Sequence, residues 1–298
     1  MEKQNNPSLT IVILSYNVRP LLADCLKSLE KAKKRNDNWQ VIVVDNKSSD
    51  DSVEYLRKHF PKVRLMENDR NSGFSAGNNI ALRKVTTPYT LLLNPDTFVY
   101  PDTIQTVLSY VHTHPEVGAA TCRVELPDGS LDYSCHRKFP DPWNSFLYLF
   151  SGSLKRYSSY SDNSTGTKIH EIDALTGAFA LIRTKAGKSL QWLDEDYYWN
   201  GEDLDFCYRL KESNWKVVYL PAVKITHFKG SSSGLWHTGK FKVNRANKIR
   251  SVNAGIDAMQ IFYSKHLASK YPILVNWVVH VGMFTLRNLR IAKVYLSS

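Results

Sequence analysis

Four cysteines in 298 residues, Cys25, Cys122, Cys135 and Cys207, nowhere stand at a CxxC spacing. That excludes a zinc knuckle and a disulfide framework, and it fits reduced thiols in a cytoplasm. Met1 to Ser8 is polar and lacks the apolar stretch of a signal peptide, so the catalytic part is expected in the cytosol. No apolar run reaches the ~20 residues of a membrane-spanning helix. The longest, PILVNWVVHVGMFTL within Tyr271 to Leu286, is interrupted by Asn276 and His280. Neither GxxxxGK[ST] nor GxGxxG occurs, which excludes a Walker loop and a dinucleotide-binding turn. There is no internal repeat. Acidic residues are nearly missing from the C-terminal end: from Leu210 onward Glu212 and Asp257 face 14 lysines and arginines, so that segment carries all of the +11 net charge. No helix-turn-helix, zinc finger or RNA-reading motif accompanies those cations. No nucleic-acid partner is therefore expected, and the charge is assigned to a membrane or diphosphate-lipid partner.

What is present reads as a folded α/β chain, since 43% hydrophobic residues with 12% aromatics argue against disorder. Leu9 to Leu14 and Val41 to Val44 are short apolar, β-branched runs, as expected for strands buried on both faces of a parallel sheet. Leu21, Leu22, Cys25, Leu26 and Leu29 recur at helical spacing, and a second helix is expected around Val53 to His59. Val63 to Met66 and Tyr89 to Leu93 are further strands. Between them the pattern predicts a loop over Asn71 to Asn79 and a helix from Asn79 to Val85. This alternation predicts a doubly wound sheet with ligands at the C-terminal ends of its strands. The middle is less regular, with a turn at Pro127-Asp128-Gly129 and a mobile loop expected over Ser151 to Thr167. Leu175 to Ile182 and Val217 to Leu220 look like strands, a third lies near Val223 to Ile225, and Glu202 to Leu210 opens a helix. The tail from Asn244 should be helical. Its apolar stretch, flanked by Lys270 and Arg287, reads as an interfacial helix with Trp277 and Phe284 at the acyl boundary; a core-packing helix is the alternative.

Several polar groups fall at strand ends. Ser15-Tyr16-Asn17 follows the first strand and Asp45-Asn46 the second; a carboxylate there can accept from a pyrimidine N–H or a ribose hydroxyl, or serve as a helix cap. In Asn71-Ser72-Gly73-Phe74-Ser75-Ala76-Gly77-Asn78-Asn79 two glycines permit close backbone approach to anionic or sugar groups, unless this is an ordinary loop. Asn94-Pro95-Asp96 places a carboxylate where a hard divalent cation could bind, and His227 could add a nitrogen ligand or be structural. Glu202-Asp203-Leu204-Asp205 gathers three carboxylates beside Tyr197, Tyr198, Trp199 and Phe206. Repulsion and burial can raise one of them into the range of a general base, although acidic residues also suit any helix start.

Together TIVILSYN, VIVVDNKSSDDS, NSGFSAGNN, LLLNPDT, LTGAFALIR, WNGEDLDFCYRL and ITHFKGSS resemble glycosyltransferase family 2, and within it the rhamnosyltransferase-like members that extend lipid-linked glycans. The resemblance runs from about Leu9 to Ser233. It implies a GT-A fold: an α/β, Rossmann-like mixed sheet flanked by helices, with a C-terminal helical extension. Residues 1–240 would be the catalytic domain, with a nucleotide-sugar half over about 1–100 and an acceptor half over about 101–240. Residues 241–298 would be the basic, membrane-associating extension. It further implies an inverting transfer, with L-rhamnose from dTDP-rhamnose as the best match among dTDP-, UDP- and GDP-linked donors, to a lipid-linked or polysaccharide acceptor in cell-envelope glycan synthesis. The enzyme would act peripherally at the inner face of the cell membrane.

Carried onto matching positions, Ser15, Tyr16, Asn17, Asp45, Asn71, Gly73, Gly77, Asn78, Asn94 and Asp96 would contact the donor. Thr176, Gly177, Ala178 and Trp199 would line the acceptor side. Asp96 and His227 would hold a divalent cation, Mg2+ or Mn2+. Asp203 would be the base, with Glu202 its rival. The metal motif is NPD where the family has DxD, and Asp96 is its one acidic residue, as in rhamnosyltransferase-like members. Two other classes fit the sequence less well. A nucleotidyltransferase would want an Arg/Lys-containing glycine-rich loop after the first strand, where SYNVRP offers Arg19 alone. A non-catalytic nucleotide-sugar-binding module would have no use for the intact Glu202-Asp203 pair.

Overall fold

The computed structural model describes residues 8–34, 37–141, 167–228 and 245–296. The loop expected over Ser151 to Thr167 lies, but for Thr167, outside them. The N-terminal half alternates as the apolar runs dictate: β1 (Leu9–Ser15), α1 (Arg19–Ala32), β2 (Trp39–Asp45), α2 (Ser52–His59), β3 (Arg64–Glu67), α3 (Gly73–Leu82) and β4 (Tyr89–Leu93). Every residue of β1 and β4 is buried, which accounts for their unbroken apolar runs. Each fully buried Ile, Leu or Val contributes about 1.5–3 kcal/mol of hydrophobic stabilisation. Then follow β5 (Thr97–Val99), α4 (Thr103–Thr113), β6 (Val117–Glu125), β7 (His170–Glu171), β8 (Phe179–Arg183), α5 (Thr184–Ser189), α6 (Glu202–Glu212) and β9 (Lys216–His227). Two long helices close the chain, α7 (Arg245–Phe262) and α8 (Ile273–Leu296).

The nine strands form one mixed sheet in the order β3-β2-β1-β4-β8-β6-β9-β5, with β7 on β9. β3, β2, β1 and β4 run parallel. β8 is antiparallel to both β4 and β6, so the doubly wound half continues directly into a mixed half. Ser15 pairs with Asp45 in register, and Leu93 with Phe179. The ends of β1, β2 and β4 thus lie on one edge, beside the start of β8.

Three boundaries differ from the sequence reading. Asn71–Asn79 is not a loop: α3 already begins at Gly73. Asn and Gly are weak helix formers, but tertiary contacts override that preference here. Asn79 exchanges two hydrogen bonds with the Leu193 backbone, at 2.8 and 3.2 Å. Asn78 Nδ2 donates to Phe74 O at 2.9 Å. At Gly77 an added Cβ would sit 2.7 Å from the Leu14 side chain, so Gly77 lets α3 lie against β1. Gly77 and Asn78 therefore have packing partners inside the domain. The strand expected from Leu175 begins only at Phe179, because Thr176-Gly177-Ala178 is turned toward α6. Val217–Leu220 and Val223–Ile225 are one strand, continuous through Pro221. The tail is helical as expected, and no helix among the described residues is long and apolar enough to cross a membrane.

Candidate functional site

At the ends of β1 and β2, Ser15 and Asp45 are buried side by side. Asp45 Oδ2 accepts from the Ser48 amide at 2.9 Å, while Asp45 Oδ1 and Ser15 Oγ are buried without a partner. Helix α2 has Asp51 at its N-cap, so Asp45 is not its cap. Two orphaned polar atoms at a strand edge are costly unless a further hydrogen-bonding group satisfies them. Asn17, at φ 54°, braces the turn below it: its Oδ1 accepts from the Ser49 amide at 2.7 Å and its amide donates to Ser48 Oγ at 3.0 Å. Tyr16 is 42% exposed at the rim.

Asn46 is the hub of the next segment. Its Nδ2 donates to Asn71 Oδ1 at 2.9 Å and to Gly73 O at 3.1 Å, while its Oδ1 accepts from Asn68 Nδ2 and the Ser72 amide. Gly73 has φ +82°, and a Cβ there would come within 2.5 Å of Tyr198 O. That carbonyl accepts from the Phe74 amide at 2.7 Å, which ties the start of α3 to the Tyr197-Tyr198-Trp199 turn. Tyr198 and Trp199 in turn line a cleft of about 680 Å³ whose other wall includes Arg250, Asn253 and Asp257 of α7.

Beyond β4, Asp96 and His227 are both buried, with His227 Nε2 3.3 Å from Asp96 Oδ1. β5 pairs Thr97 with His227 and so fixes this approach. On the other side of the ring, Nδ1 lies 3.5 Å from Asp132 Oδ2, an ion-pair distance. Burial disfavours the charged imidazole, but Asp132 and Asp96 outweigh it and push its pKa up to about 9.

The carboxylate pair opens α6 behind Gly201, whose φ is +88°. Glu202 is buried, its Oε2 has no partner, and burial together with neighbouring Asp203 pushes it up to about 8. Asp203 Oδ2 pairs with Arg137 Nη2 at 2.7 Å and accepts from the Gly177 amide at 3.2 Å. One residue on, Ala178 O accepts from the Asn94 amide at 3.2 Å. Asp205 turns away and is held by Arg209 and His266, each at 2.7 Å.

The structure thus connects the predicted residues through short contacts. Asp45 leads by way of Asn46, Gly73 and Phe74 to Tyr198. Asp96 and Asn94 lead by way of Ala178 and Gly177 to Asp203. The Phe74 ring closes the circuit, since a Cβ on Gly177 would meet it at 3.4 Å. Asn46, Phe74, Asp132 and Arg137 were not singled out in the sequence. Asn46 had a signal, being the second residue of the strand-ending Asp45-Asn46; Asp132 and Arg137 sit in an irregular stretch where no periodicity marks a site.

A sheet whose parallel half carries Asp45 at its edge, and whose mixed half brings an acidic turn and a buried carboxylate pair toward it, is the GT-A fold of glycosyltransferases. Solved structures agree. The mannosyltransferase PcManGT from Pyrobaculum calidifontis, in complex with GDP-Man and Mn2+, superposes with a TM-score of 0.59 at 17% identity, over 98% of this chain and 74% of that one. S. aureus TarS 1-349 in complex with UDP gives 0.56 at 14% identity, over 98% and 92%. The family model for glycosyl transferase family 2 matches residues 10–186, and the chain belongs to that family. Among curated relatives, the N-acetylglucosaminyl-diphospho-decaprenol L-rhamnosyltransferase of Mycobacterium tuberculosis is 25% identical over 76% of this chain and 78% of its own length. Rhamnosyltransferase WbbL of Escherichia coli is 28% identical over 73% and 82%. The chain is a glycosyltransferase.

Proposed function

We propose that this glycosyltransferase moves a sugar with inversion from a nucleotide-sugar donor to a hydroxyl of a lipid-linked or polysaccharide acceptor in cell-surface glycan synthesis. L-Rhamnose is the sugar favoured by the two relatives named above, both rhamnosyltransferases, and dTDP-rhamnose is the donor we assign to it. The observation that carries the reading is a pair of hydrogen bonds donated by backbone amides, Asn94 to the Ala178 carbonyl and Gly177 to the Asp203 carboxylate, which link the acidic turn to the carboxylate pair. Ser15 and Asp45 receive the nucleoside, with Tyr16, Asn17, Asn71 and Gly73 around them and Asn94 beside the diphosphate. Gly77 and Asn78 serve this pocket by seating α3. Thr176, Gly177, Ala178 and Trp199 face the acceptor.

Asp96 and His227 suit a divalent cation, Mg2+ or Mn2+. Their 3.3 Å separation is close to the ~3 Å between adjacent donors of one octahedral ion. No group of three or more His, Cys, Asp or Glu side chains is arranged to hold a metal among the described residues, so the remaining oxygens would come from diphosphate and water. The cation's chemistry is neutralisation of the charge that gathers on the leaving diphosphate. Two structural neighbours were solved with Mn2+ and a nucleotide or nucleotide sugar, which supports such a site.

Direct displacement at the anomeric carbon needs a base on the face opposite the diphosphate. With Glu202 pushed up to about 8, the proton shared by the pair at neutral pH sits on Glu202. Asp203, ion-paired with Arg137, is then the carboxylate that takes the acceptor proton. Residues 1–240 form the catalytic unit in this reading and residues 241–298 an extension that seats the enzyme peripherally on the cytoplasmic membrane face. Purified protein screened against dTDP-, UDP- and GDP-sugars should release nucleotide from one class, dTDP-rhamnose first, and faster with acceptor present. Release from none of them, with and without Mn2+, would reject the proposal.

A further inference from the structure

We infer that Arg137 is a positioning residue that fixes the Asp203 carboxylate, the proposed base, against the Thr176-Gly177-Ala178 turn. The inference rests on the base assignment above.

Arg137 and Asp203 each expose only 14% of their side chains, so their 2.7 Å contact is poorly screened. Arg137 Nη2 also donates to Leu175 O, one residue before the Thr176-Gly177-Ala178 turn. The same guanidinium therefore holds both the carboxylate and the strand lead-in whose Gly177 amide binds that carboxylate. Asp203 Oδ2 is occupied by Arg137 and Gly177, and Oδ1 takes the Leu204 amide at 2.7 Å. A carboxylate offers about four lone-pair sites, so one remains for an acceptor hydroxyl.

Burial and the neighbouring Asp203 push Glu202 up, and the guanidinium of Arg137 favours the charged form of a carboxylate it touches. Other groups facing the pair do not compete for this role. Asp205 is bound to Arg209 and His266. The Cys207 thiol is pushed up to about 12 by burial and stays neutral. Lys211 is engaged by Glu171 and Asp173.

The test is a carboxyl ¹³C NMR titration of the full chain, wild type against Arg137→Lys and Arg137→Met, with Glu202→Gln and Asp203→Asn to assign the signals. The Asp203 midpoint should rise by about one unit or more in R137M, which loses the cation, and by a few tenths of a unit in R137K, which keeps the charge without the planar fork. An unmoved midpoint in a folded R137M overturns the inference; should R137M not fold, an unmoved midpoint in R137K does so. No sugar is needed for this readout, so it stands or falls apart from the transferase proposal. With a donor in hand, R137M should also displace the acid limb of kcat upward at unchanged donor KM, whereas loss of packing alone would lower kcat at every pH without moving the limb.

Discussion

The Gly177 amide donates to the Asp203 carboxylate at 3.2 Å across 26 residues of sequence. This one bond joins the start of β8, whose Ala178 carbonyl holds Asn94, to the N-terminus of α6. It follows that the two carboxylates of the pair should not be interchangeable. On the proposed assignment Asp203→Asn removes the proton acceptor and should lower turnover by ~10²–10⁴ with donor binding retained. Glu202→Gln replaces a neutral acid by a neutral amide and should cost less than about tenfold at pH 7. Steady-state kinetics with nucleotide release reads both, and a larger loss in E202Q than in D203N would reverse the assignment.

Glu202 also ties stability to pH. Burial and Asp203 raise it from 4.5 in the unfolded chain to about 8 in the folded protein. Between those values the native state binds more protons than the unfolded state, so this group's contribution falls as pH rises from about 5 to about 8 and is then constant. Gln cannot ionise, so E202Q should gain Tm relative to wild type at pH 9, where wild type must bury a charge, and little at pH 5. Paired thermal melts at the two pH values measure this, and an equal Tm difference at both would show that Glu202 titrates normally.

At the acidic turn, a proton and the proposed cation should compete for His227. Since Asp132 and Asp96 push the imidazole up to about 9, binding a divalent ion below that pH must release a proton, and affinity should rise between pH 6 and 9. Asp132, facing the far ring nitrogen at 3.5 Å, should orient the ligand. Mn2+ affinity, followed by EPR of the free ion, should drop about 10–100-fold in Asp132→Asn and further in Asp96→Asn or His227→Ala. Undiminished Mn2+ binding in D96N and H227A would remove these residues from the metal site.

Backbone approach at Gly73 gives a sharper structural test. With φ +82° and Tyr198 O 2.5 Å from an added Cβ, Gly73→Ala combines a left-handed conformation with a steric clash. It should cost about 1–3 kcal/mol of stability and weaken nucleotide binding, because Asn46, Asn71 and Tyr198 are anchored to that turn. Denaturant melts and nucleotide titration check it; a G73A protein of wild-type stability would show that the turn adapts.

How far the sequence revealed this arrangement depended on the range of the interaction that decides each feature. Strands such as β1 and β4 are legible because burial on both faces leaves an unbroken apolar run. Asp45, Asp96 and the Glu202-Asp203 pair are legible because strand ends and a helix start mark them locally. The start of α3 was not, since Asn78, Asn79 and Gly77 are helical only through contacts with Phe74, Leu193 and Leu14. Arg137 and Asp132 were invisible for the same reason: each acquires its meaning from a partner on a distant element, Asp203 or His227, and nothing in its own neighbourhood announces it.

The C-terminal helices put the membrane reading to a test that truncation would confound. Ile256 and Phe262 of α7 are fully or nearly fully buried in the core, so removing the tail after Ser251 would strip packing as well as charge. Helix α8 is different: Met283 is its buried residue, while Ile273, Leu274, Trp277 and Phe284 are 66–82% exposed. These positions recur at helical spacing, as an apolar face laid on a bilayer requires. The cations are less available than their number suggests, because Lys265 is bound to Asp194 and Asp196 and Arg287 to Asp257. Arg290 and Lys293 carry no ion pair among the described residues, but at i+7 from Met283 and Leu286 they share the helix face turned to the core and contribute to a bilayer contact only at long range. Trp277→Ala with Phe284→Ala should therefore lower binding to phosphatidylglycerol vesicles about tenfold or more with Tm unchanged, since each ring forfeits on the order of 1 kcal/mol or more of apolar burial. Arg290→Gln with Lys293→Gln should weaken it less and only at low salt. Vesicle sedimentation unaffected by the aromatic pair would mean that this face meets something other than lipid.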